Sequence, residues 1–337
     1  MTNHPIKLAV VGATGLVGRT MLKVLEERHV PVADLFLIAS AKSRGTKLSF
    51  AGRDYEVSTL EDGLWRCANA ALLSPGAKVS ALWVPRLAEA GVVCIDNSSA
   101  FRQQPDVPLV VPEVNPDAIR KGDLIIANPN CSTIQLVIVL APLHRAYGLE
   151  EVTVATYQSA AGAGQKGKSE LWDEIAGKSN LTSPFPHPLF HNLIPAIGAF
   201  GDDGYCNEER KMILETRKIL CLPDLRIFPT TVRVPIAQCH SEAVHLKFKR
   251  RISPALARKV LSAAPGVMIQ DDPQKNVYPM PIMSADRDEV MVGRIRQVPG
   301  EDYTLDLWIV ADNVRKGAAT NGVEILELLM KRKMVKK

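Results

Sequence analysis

The residues best suited to chemistry lie at positions 128–133, which carry the sequence Asn-Pro-Asn-Cys-Ser-Thr. Residues 124–127 are a short apolar run typical of a strand, and residues 134–147 have the apolar spacing of a helix. Pro129 fixes its own φ and disfavours a helical conformation of the residue before it, so the chain turns sharply there. The sequence therefore predicts that Cys131 lies at an elbow between a strand and a helix.

Such an elbow can make a cysteine reactive. We predict Ser132 or Thr133 as the N-cap of the helix, which would place Cys131 beside open backbone amides and the positive end of the helix dipole. That environment favours a thiolate, the nucleophilic form of cysteine. The local pattern also allows the alternative that Cys131 is a small, inert, buried side chain.

A glycine-rich turn near the N-terminus predicts a dinucleotide site. Residues 6–11 are nearly all apolar, as expected for a central parallel strand, and residues 16–28 predict a helix. The Gly-x-x-Gly-x-x-Gly motif between them allows a tight turn and a close approach of backbone amides to a pyrophosphate. The alternative is a tight turn without a ligand. The predicted cofactor contacts in this motif are Gly12, Thr14, Gly15, Leu16, Val17 and Gly18.

The segment after the next predicted strand, residues 35–38, indicates which dinucleotide binds. NAD enzymes usually carry an acidic residue there, which binds the ribose hydroxyls. Residues 39–45 instead contain serines and cations and no carboxylate, which suits a 2′-phosphate. We therefore predict NADP, with contacts from Ser40, Lys42 and Ser43. A solvated basic turn is the alternative.

A chain of 337 residues suggests two domains. Strands at 70–73 and 92–96 and a helix at 77–90 continue the alternation of strands and helices, which predicts a right-handed, doubly wound α/β domain over residues 1–130. The strand at 92–96 leads into a polar loop ending in Arg102, at the sheet edge where such domains bind ligands.

The pattern changes past the elbow. Residues 244–249 and 303–310 alternate apolar and polar side chains, which predicts a largely antiparallel sheet covered on one face. We assign residues 131–313 to an α+β substrate and dimerisation domain whose other sheet face is available to a second subunit. A helix over 314–333 is predicted to pack back on the first domain, so that residues 314–337 complete it.

Composition argues against several other classes of protein. The net charge of +5 is small and its cations are spread out, which argues against nucleic acid and suits anionic small molecules. No apolar run approaches the roughly 20 residues of a membrane span, and residues 1–7 lack the apolar core of a secretory signal. The six cysteines show no CxxC pairing and no histidine at metal-binding spacing. This pattern predicts reduced thiols in the cytoplasm and no metal site.

Several motifs together resemble the aspartate-β-semialdehyde dehydrogenase family over essentially the whole chain. Their order along the sequence makes the resemblance specific, although each motif alone is weak. The matching segments are residues 12–18, 40–43, 97–102, 111–115, 128–133, 157–164, 208–211, 233–235, 240–242, 292–296, 312–313 and 316–319.

The resemblance implies an NADP-dependent oxidoreductase. Such an enzyme converts L-aspartyl-4-phosphate to L-aspartate-4-semialdehyde with release of phosphate, through a thioester on a cysteine. The reaction belongs to the biosynthesis of lysine, threonine, methionine and isoleucine. The resemblance also implies a homodimer or a dimer of dimers.

The resemblance assigns roles residue by residue. Catalysis falls to Cys131 as the nucleophile, His240 as the acid and base, and Gln158 as the residue that orients the acyl intermediate. The substrate contacts are Arg102, Asn130 and Lys211 for the phosphate, with Arg233 and Glu208 for the α-carboxylate and the amine. Gly162 and Asn313 are two further cofactor contacts that the resemblance implies.

Two of these residues would be interpreted differently without the resemblance. Glu208 and Lys211 lie at i and i+3 of a predicted helix over 208–220, and on spacing alone they would form a surface salt bridge. His240 alone would be interpreted as a structural histidine.

Two alternatives remain open. N-acetylglutamyl-phosphate reductase shares the architecture, but its nucleophile motif more often has Gly before the cysteine and an aromatic residue after it, where this chain has Asn130 and Ser132. A non-catalytic nucleotide-binding relative would lack the cysteine or the histidine. The chain departs from the commoner family pattern at Lys42, Pro75, Lys78 and Cys239.

Overall fold

The computed structural model describes residues 5–178 and 183–335. The chain forms two compact units. The first unit contains the chain up to Pro129 and again from Ala318 onwards, and the second is Asn130–Gly317.

Parallel strands dominate the first unit. Its elements before the elbow are β1 (Ile6–Val11), α1 (Leu16–Glu27), β2 (Val32–Ile38), β3 (Lys47–Phe50), β4 (Arg53–Glu56), β5 (Ala70–Leu73), α2 (Ala77–Glu89), β6 (Val93–Asp96) and β7 (Ile125–Ala127). Five strands form a parallel sheet in the order β2-β1-β5-β6-β7, and β3 pairs with β4 in an antiparallel hairpin. The residues of β1, β5 and β6 are almost all buried, which explains their continuous apolar sequences. The predicted α/β architecture is confirmed.

The predicted alternation of strands and helices stops at β6. Between β6 and β7 the chain forms only a short 3₁₀ turn, Pro116–Ala118, and no α-helix. An extended segment runs beside β7 instead, because the Val110 N–H donates to the Ala127 carbonyl (3.1 Å) and the Ala127 N–H to the Pro108 carbonyl (2.9 Å). Backbone groups that a helix would have satisfied internally are thus satisfied by the sheet edge.

The second unit is built on a mixed sheet. Its elements are α3 (Cys131–Tyr147), β8 (Leu149–Gln158), α4 (Gly164–Ile175), α5 (Asn207–Leu220), β9 (Arg226–Arg233), β10 (His240–Phe248), α6 (Pro254–Ser262), β11 (Val267–Ile269), α7 (Pro281–Ser284), β12 (Val290–Arg296) and β13 (Thr304–Ala311). The strand order is β11-β12-β13-β10-β8-β9. The four central strands are antiparallel, and β11 and β9 join the edges in parallel.

Helix α3 forms the interior of the second unit. Every residue from Ser132 to Ala141 is buried, and the helix packs against α5, α6 and the strands β8, β10, β12 and β13. A helix that is apolar on all sides must be enclosed by the core. Cys131 is the first residue of this helix, so its backbone is held by an element that the core encloses.

A final helix, α8 (Thr320–Lys331), belongs to the first unit. Its residues Val323, Leu326 and Leu329 are part of that unit's hydrophobic core, and Glu327 pairs at 2.6 Å with Arg28, which directly follows α1. The helix begins later than the predicted residue 314, because a π-helical turn, Arg315–Ala319, precedes it.

Glu242 on β10 is a fully buried carboxyl group that makes the stability of the fold depend on pH. Burial raises its pKa well above the ordinary value, although the nearby Gln135 side chain of α3 lowers it in part. The unfolded chain releases this proton above about pH 4.3, whereas the folded chain retains it. Stability therefore decreases as the pH rises above the unfolded pKa, by at most about 1.4 kcal/mol per pH unit.

Glu242→Gln should remove this pH dependence, because glutamine is neutral at every pH. We expect the difference in Tm, variant minus unmodified protein, to increase as the pH is raised from 5 to 8. Calorimetry measures both Tm values. A difference in Tm that stays constant over this range would show that Glu242 is ionised in the folded protein.

Candidate active site

The elbow before α3 is capped by Asn130. Asn130 is extended (φ −62°, ψ 145°), and its Oδ1 accepts hydrogen bonds from the backbone N–H groups of Ser132 (3.0 Å) and Thr133 (3.2 Å). The predicted N-cap at Ser132 or Thr133 is therefore wrong. Asn130 takes this position because the residue after Pro129 remains extended, which aims its side chain at the first open amides. Cys131 becomes the first residue of the helix.

Three predicted site residues lie side by side at the ends of adjacent strands. Gln158 of β8 is opposite His240 of β10 on one side and opposite Arg233 of β9 on the other. Residues directly opposite each other in a sheet present their side chains on the same face. All three are buried, and the Gln158 Nε2 donates to the Thr156 Oγ1 at 3.3 Å. The register of the sheet thus places Arg233, Gln158 and His240 in one row, although they are far apart in the sequence.

His240 is held in a defined tautomer. Its Nδ1 accepts a hydrogen bond from the backbone N–H of Ser159 at 3.1 Å. The Ser159 hydroxyl donates to the Asn313 Oδ1 (3.1 Å), which also accepts from the backbone N–H of Cys239 (3.0 Å). A neutral ring whose Nδ1 accepts must carry its proton on Nε2. Burial, and then the charge of Arg233, lower the pKa of His240 to about 3, so the ring is neutral at physiological pH.

Arg233 supplies a buried cation. Its Nη1 donates to the Ser159 carbonyl at 2.6 Å, and its guanidinium lies 5.8 Å from the centre of the Phe185 ring. Burial lowers the pKa of Arg233, and the nearby Glu208 and Cys131 side chains raise it. This cation and the helix terminus both favour negative charge on the sulfur.

Glu208 of α5 is a buried anion. Its Oε1 accepts from the Asn130 Nδ2 at 2.7 Å, and its Oε2 pairs with the Lys211 Nζ at 3.0 Å. Burial alone would raise the pKa of Glu208, but Lys211, Asn130 and then Arg233 hold it below the ordinary value. The interpretation of Glu208 and Lys211 as a surface salt bridge is therefore wrong, because the Glu208 side chain is only 6% exposed.

Gly162 explains why this corner of the site contains no side chain. A Cβ atom at this position would lie 2.5 Å from the Arg233 Nη1 and 3.3 Å from the His240 Nε2. The His240 Nε2 is buried and has no hydrogen-bond partner among the described residues. Glycine thus leaves space beside the atoms of Arg233 and His240 that can bind a substrate.

The residue before His240 has a backbone conformation that is unusual for a residue with a side chain. Cys239 adopts φ 72°, a left-handed conformation that favours glycine. Its thiol is buried, and burial raises its pKa, so it remains a neutral thiol. Ser159, which fixes the tautomer of His240, was missed as a functional residue, because its contribution comes mainly from its backbone.

The remaining predicted substrate residue, Arg102, lies in the first unit. It is 7% exposed, and its guanidinium donates to the backbone carbonyls of Asn128 (2.9 Å) and Asn97 (2.8 Å). Asn128 is itself held by the Asn321 Nδ2, at 2.6 Å. Arg102 is thus a rigid cation rather than a surface arginine.

The glycine-rich turn has the geometry of a phosphate cradle. Gly12 has φ 85°, and a Cβ atom there would lie 2.9 Å from the backbone of Ser74. A Cβ atom at Gly18 would overlap the backbone of Gly12, and α1 begins with Gly15 as its N-cap. Only glycine permits this close approach, and the open helix terminus points its amides at an anion. These residues fit a dinucleotide.

Residues 39–45, which we call the selector turn because they are predicted to distinguish NADP from NAD, lie next to the glycine-rich turn. The Thr14 Oγ1 is 3.2 Å from the Ser43 Oγ, and Ser40 is the N-cap of the short turn that carries Lys42. Of the two cations of this segment, Arg44 pairs with Asp62 at 2.8 Å. Lys42 is the other cation of the segment and the one predicted to bind the 2′-phosphate.

Within residues 5–178 and 183–335, no group of three or more His, Cys, Asp and Glu side chains could hold a metal ion. No helix in the same ranges is long and apolar enough to cross a membrane.

The two units match two sequence models of one enzyme class. Residues 7–122 match the semialdehyde dehydrogenase, NAD binding domain, and residues 140–316 match the semialdehyde dehydrogenase, dimerisation domain. The fold and the site thus define a semialdehyde dehydrogenase. The aspartate-semialdehyde dehydrogenase of Aquifex aeolicus (strain VF5) is 49% identical over 337 residues, which cover 98% of this chain and 99% of that protein. The chain belongs to the aspartate-semialdehyde dehydrogenase family.

Solved structures support the same conclusion. Aspartate semialdehyde dehydrogenase II from Vibrio cholerae, crystallised in complex with ASA, has a TM-score of 0.93 and 44% identity, with 97% of this chain and 99% of that chain covered. The enzyme from Candida albicans, solved with NADP, has a TM-score of 0.78 and 25% identity, with 98% and 100% covered.

Proposed function

We propose that this protein is an aspartate-semialdehyde dehydrogenase, which uses NADPH to convert L-aspartyl-4-phosphate to L-aspartate-4-semialdehyde in the biosynthesis of lysine, threonine, methionine and isoleucine. The observation that carries the proposal is the buried pair of Arg233 and Glu208 beside the nucleophile candidate Cys131. The α-carboxylate and ammonium of an amino acid need a fixed cation and a fixed anion, and this pair supplies both.

Cys131 carries the chemistry. Its thiolate attacks the acyl carbon of aspartyl phosphate, and the carbon–oxygen bond to phosphate breaks as a thioester forms on the sulfur. NADPH, when bound, supplies the hydride that reduces this thioester. The resulting hemithioacetal on Cys131 then collapses, releasing the aldehyde and regenerating the thiolate.

His240 and Gln158 act on the oxygen of the reacting carbon. Negative charge develops on that oxygen each time a tetrahedral species forms, and a buried donor stabilises it strongly. The neutral His240 presents its Nε2–H, because the Ser159 amide occupies Nδ1. Gln158, its neighbour across the sheet, orients the acyl group.

The phosphate group is bound by cations and an amide. We assign it to Arg102, Asn130 and Lys211. Asn130 donates one N–H of its amide to Glu208, and the second N–H can serve the ligand. Lys211, which is 34% exposed, has further ammonium protons beyond the one that pairs with Glu208.

NADP is the proposed cofactor, held by the glycine-rich turn and the selector turn, with further contacts assigned to Gly162 and Asn313. The double variant Lys42→Met, Ser43→Ala should lower kcat/KM for NADP by about 10- to 100-fold, because hydrogen bonds to charged groups contribute about 1.5–3 kcal/mol. The kcat/KM for NAD should change little. Lys47→Met, an exposed lysine on β3, is the matched control. Equal losses for both cofactors would show that this turn does not bind the 2′-phosphate.

The proposal includes the assembly and the location of the enzyme. We propose a homodimer or a dimer of two such dimers, and the match of residues 140–316 to a dimerisation domain supports the pairing of two subunits. A cytoplasmic location is supported by the cysteines, none of which forms a disulfide.

A comparison of two substrates tests the proposed function. Phosphate-dependent reduction of NADP should be faster with aspartate semialdehyde than with N-acetylglutamate semialdehyde, by at least about 10²-fold in kcat/KM, because an acetylated amine leaves Glu208 without a cationic partner. Faster turnover of the acetylated substrate would assign the protein to N-acetylglutamyl-phosphate reductases instead.

A further inference from the structure

Helix α5 holds the residue before the nucleophile at two points. The Asn130 Nδ2 donates to the Glu208 Oε1 at 2.7 Å, and the Asn130 backbone N–H donates to the Glu215 Oε2 at 2.6 Å. Glu208 and Glu215 lie two turns apart on one face of α5, so both carboxylates point at the same elbow. Glu208 belongs to the proposed substrate site, whereas Glu215 has no role in the chemistry described so far.

Glu215 completes the cap of α3 from a different helix. In a capping box, the N-cap side chain accepts from the third helical residue, and an acid at that position accepts from the N-cap backbone N–H. In α3 the third residue is Thr133, whose hydroxyl turns to the Asn130 Oδ1 at 3.5 Å. The backbone N–H of Asn130 instead donates its hydrogen bond to the Glu215 carboxylate.

The surroundings of Glu215 favour a fixed carboxylate. The residue is 1% exposed, and it interacts electrostatically with Lys218, one turn further along α5. A buried hydrogen bond to an ionised acceptor is stronger than one between neutral groups. The position of Asn130, and through it that of Cys131, is therefore fixed by packing and by this bond together.

We propose that Glu215 is a positioning residue for the reaction: its carboxylate holds the Asn130 amide and so fixes the Cys131 sulfur against the row of His240, Gln158 and Arg233. The inference rests on the proposed function only in taking Cys131 as the nucleophile. A displacement of a reacting group by about 1 Å can reduce the rate about 10²-fold, so a modest shift of the elbow would be visible in kcat.

Three variants separate positioning from general stability. Glu215→Gln keeps an acceptor oxygen at the same reach, and Glu215→Met keeps the length without an acceptor. Asp271→Asn is the matched control, because Asp271 is also a buried carboxylate, paired with Arg258 at 2.6 Å, but it follows β11, at the opposite edge of the sheet from β9 and α5.

We expect Glu215→Met to lower kcat by about 30- to 100-fold and to leave the KM for NADP within about twofold. Glu215→Gln should retain kcat within about threefold. Asp271→Asn should have a lower Tm but an unchanged kcat.

If Glu215→Met fails to fold, Glu215→Asp replaces it, because the shorter acid cannot reach the Asn130 amide. The same loss of kcat is then expected. A kcat near that of the unmodified protein for Glu215→Met or Glu215→Asp would overturn the proposal, as would equal losses for Met and Gln.

Alkylation gives a readout that needs no substrate. The rate at which iodoacetamide modifies the Cys131 peptide at neutral pH is measured by mass spectrometry against the exposed Cys67 and Cys221 peptides. We expect this ratio to fall at least about fivefold in Glu215→Met and to be unchanged in Glu215→Gln and Asp271→Asn. An unchanged ratio in Glu215→Met would overturn the positioning role even if the substrate assignment held. A reduced ratio with no activity on aspartate semialdehyde in the unmodified protein would instead reject only the proposed function.

Discussion

Replacing Cys131 by alanine should abolish turnover while NADP binding remains close to that of the unmodified protein. The thiolate forms the only covalent bond to the substrate in the proposed reaction, so its loss should reduce kcat by at least about 10⁴-fold. The predicted NADP contacts of the glycine-rich turn lie in the first unit, whereas Cys131 belongs to the second, so cofactor affinity should be retained.

Cys67→Ala is the matched control, because Cys67 is exposed and lies in the first unit. Steady-state assays give kcat, and fluorescence titration gives the Kd for NADPH. Retention of even a few per cent of kcat by Cys131→Ala would contradict covalent catalysis at this residue. Loss of NADPH binding would indicate a structural defect.

Arg233→Lys should reduce kcat/KM for aspartate semialdehyde by roughly 30- to 1000-fold. Lysine keeps the charge but cannot form two parallel hydrogen bonds to a carboxylate, and losing such a contact in the transition state costs about 2–4 kcal/mol. The substitution also breaks the bond from the Arg233 Nη1 to the Ser159 carbonyl, which orients the guanidinium.

The control lies at the other end of the same strand. Arg226 begins β9, is more than half exposed and pairs with Glu151 at 2.7 Å. Arg226→Lys should change kcat/KM by less than about twofold, as a surface substitution usually does. Similar small effects at both positions would show that Arg233 does not bind the substrate carboxylate.

The chain's local patterns predict most of the fold. The bounds of β1 and β5 agree with the predicted runs, because strands buried on both faces have continuous apolar sequences. Strand β3, Lys47–Phe50, was not predicted, since it has four residues and is defined by its pairing with β4. The missing helix between β6 and β7 is similarly non-local, because that segment is held along the edge of the sheet.

The cap of α3 shows where local reasoning reaches its limit. Asn, Ser and Thr all cap helices well, so the run 130–133 offers three candidates with similar preferences. The choice of Asn130 is reinforced by Glu208 and Glu215, which are 78 and 85 residues further along the chain. No spacing rule within the elbow contains that information.

The electrostatics of the site are also non-local. The i and i+3 spacing of Glu208 and Lys211 is the same on a surface helix and on a buried one, and only the packing of α5 against α3 distinguishes them. The tautomer of His240 depends on the backbone of Ser159 on a neighbouring strand. The sequence could therefore suggest which side chains take part, but not their charge states.

The most direct test of the central claim is to look for the acyl group on Cys131. The protein is mixed with aspartate semialdehyde and NADP in the absence of phosphate, quenched in acid, and digested for mass spectrometry, while NADPH formation is followed by absorbance. We predict a burst of about one NADPH per active site, an aspartyl adduct on the Cys131 peptide, and loss of that adduct when phosphate is added before quenching. A burst without an adduct on Cys131, or an adduct that phosphate does not discharge, would contradict the thioester mechanism.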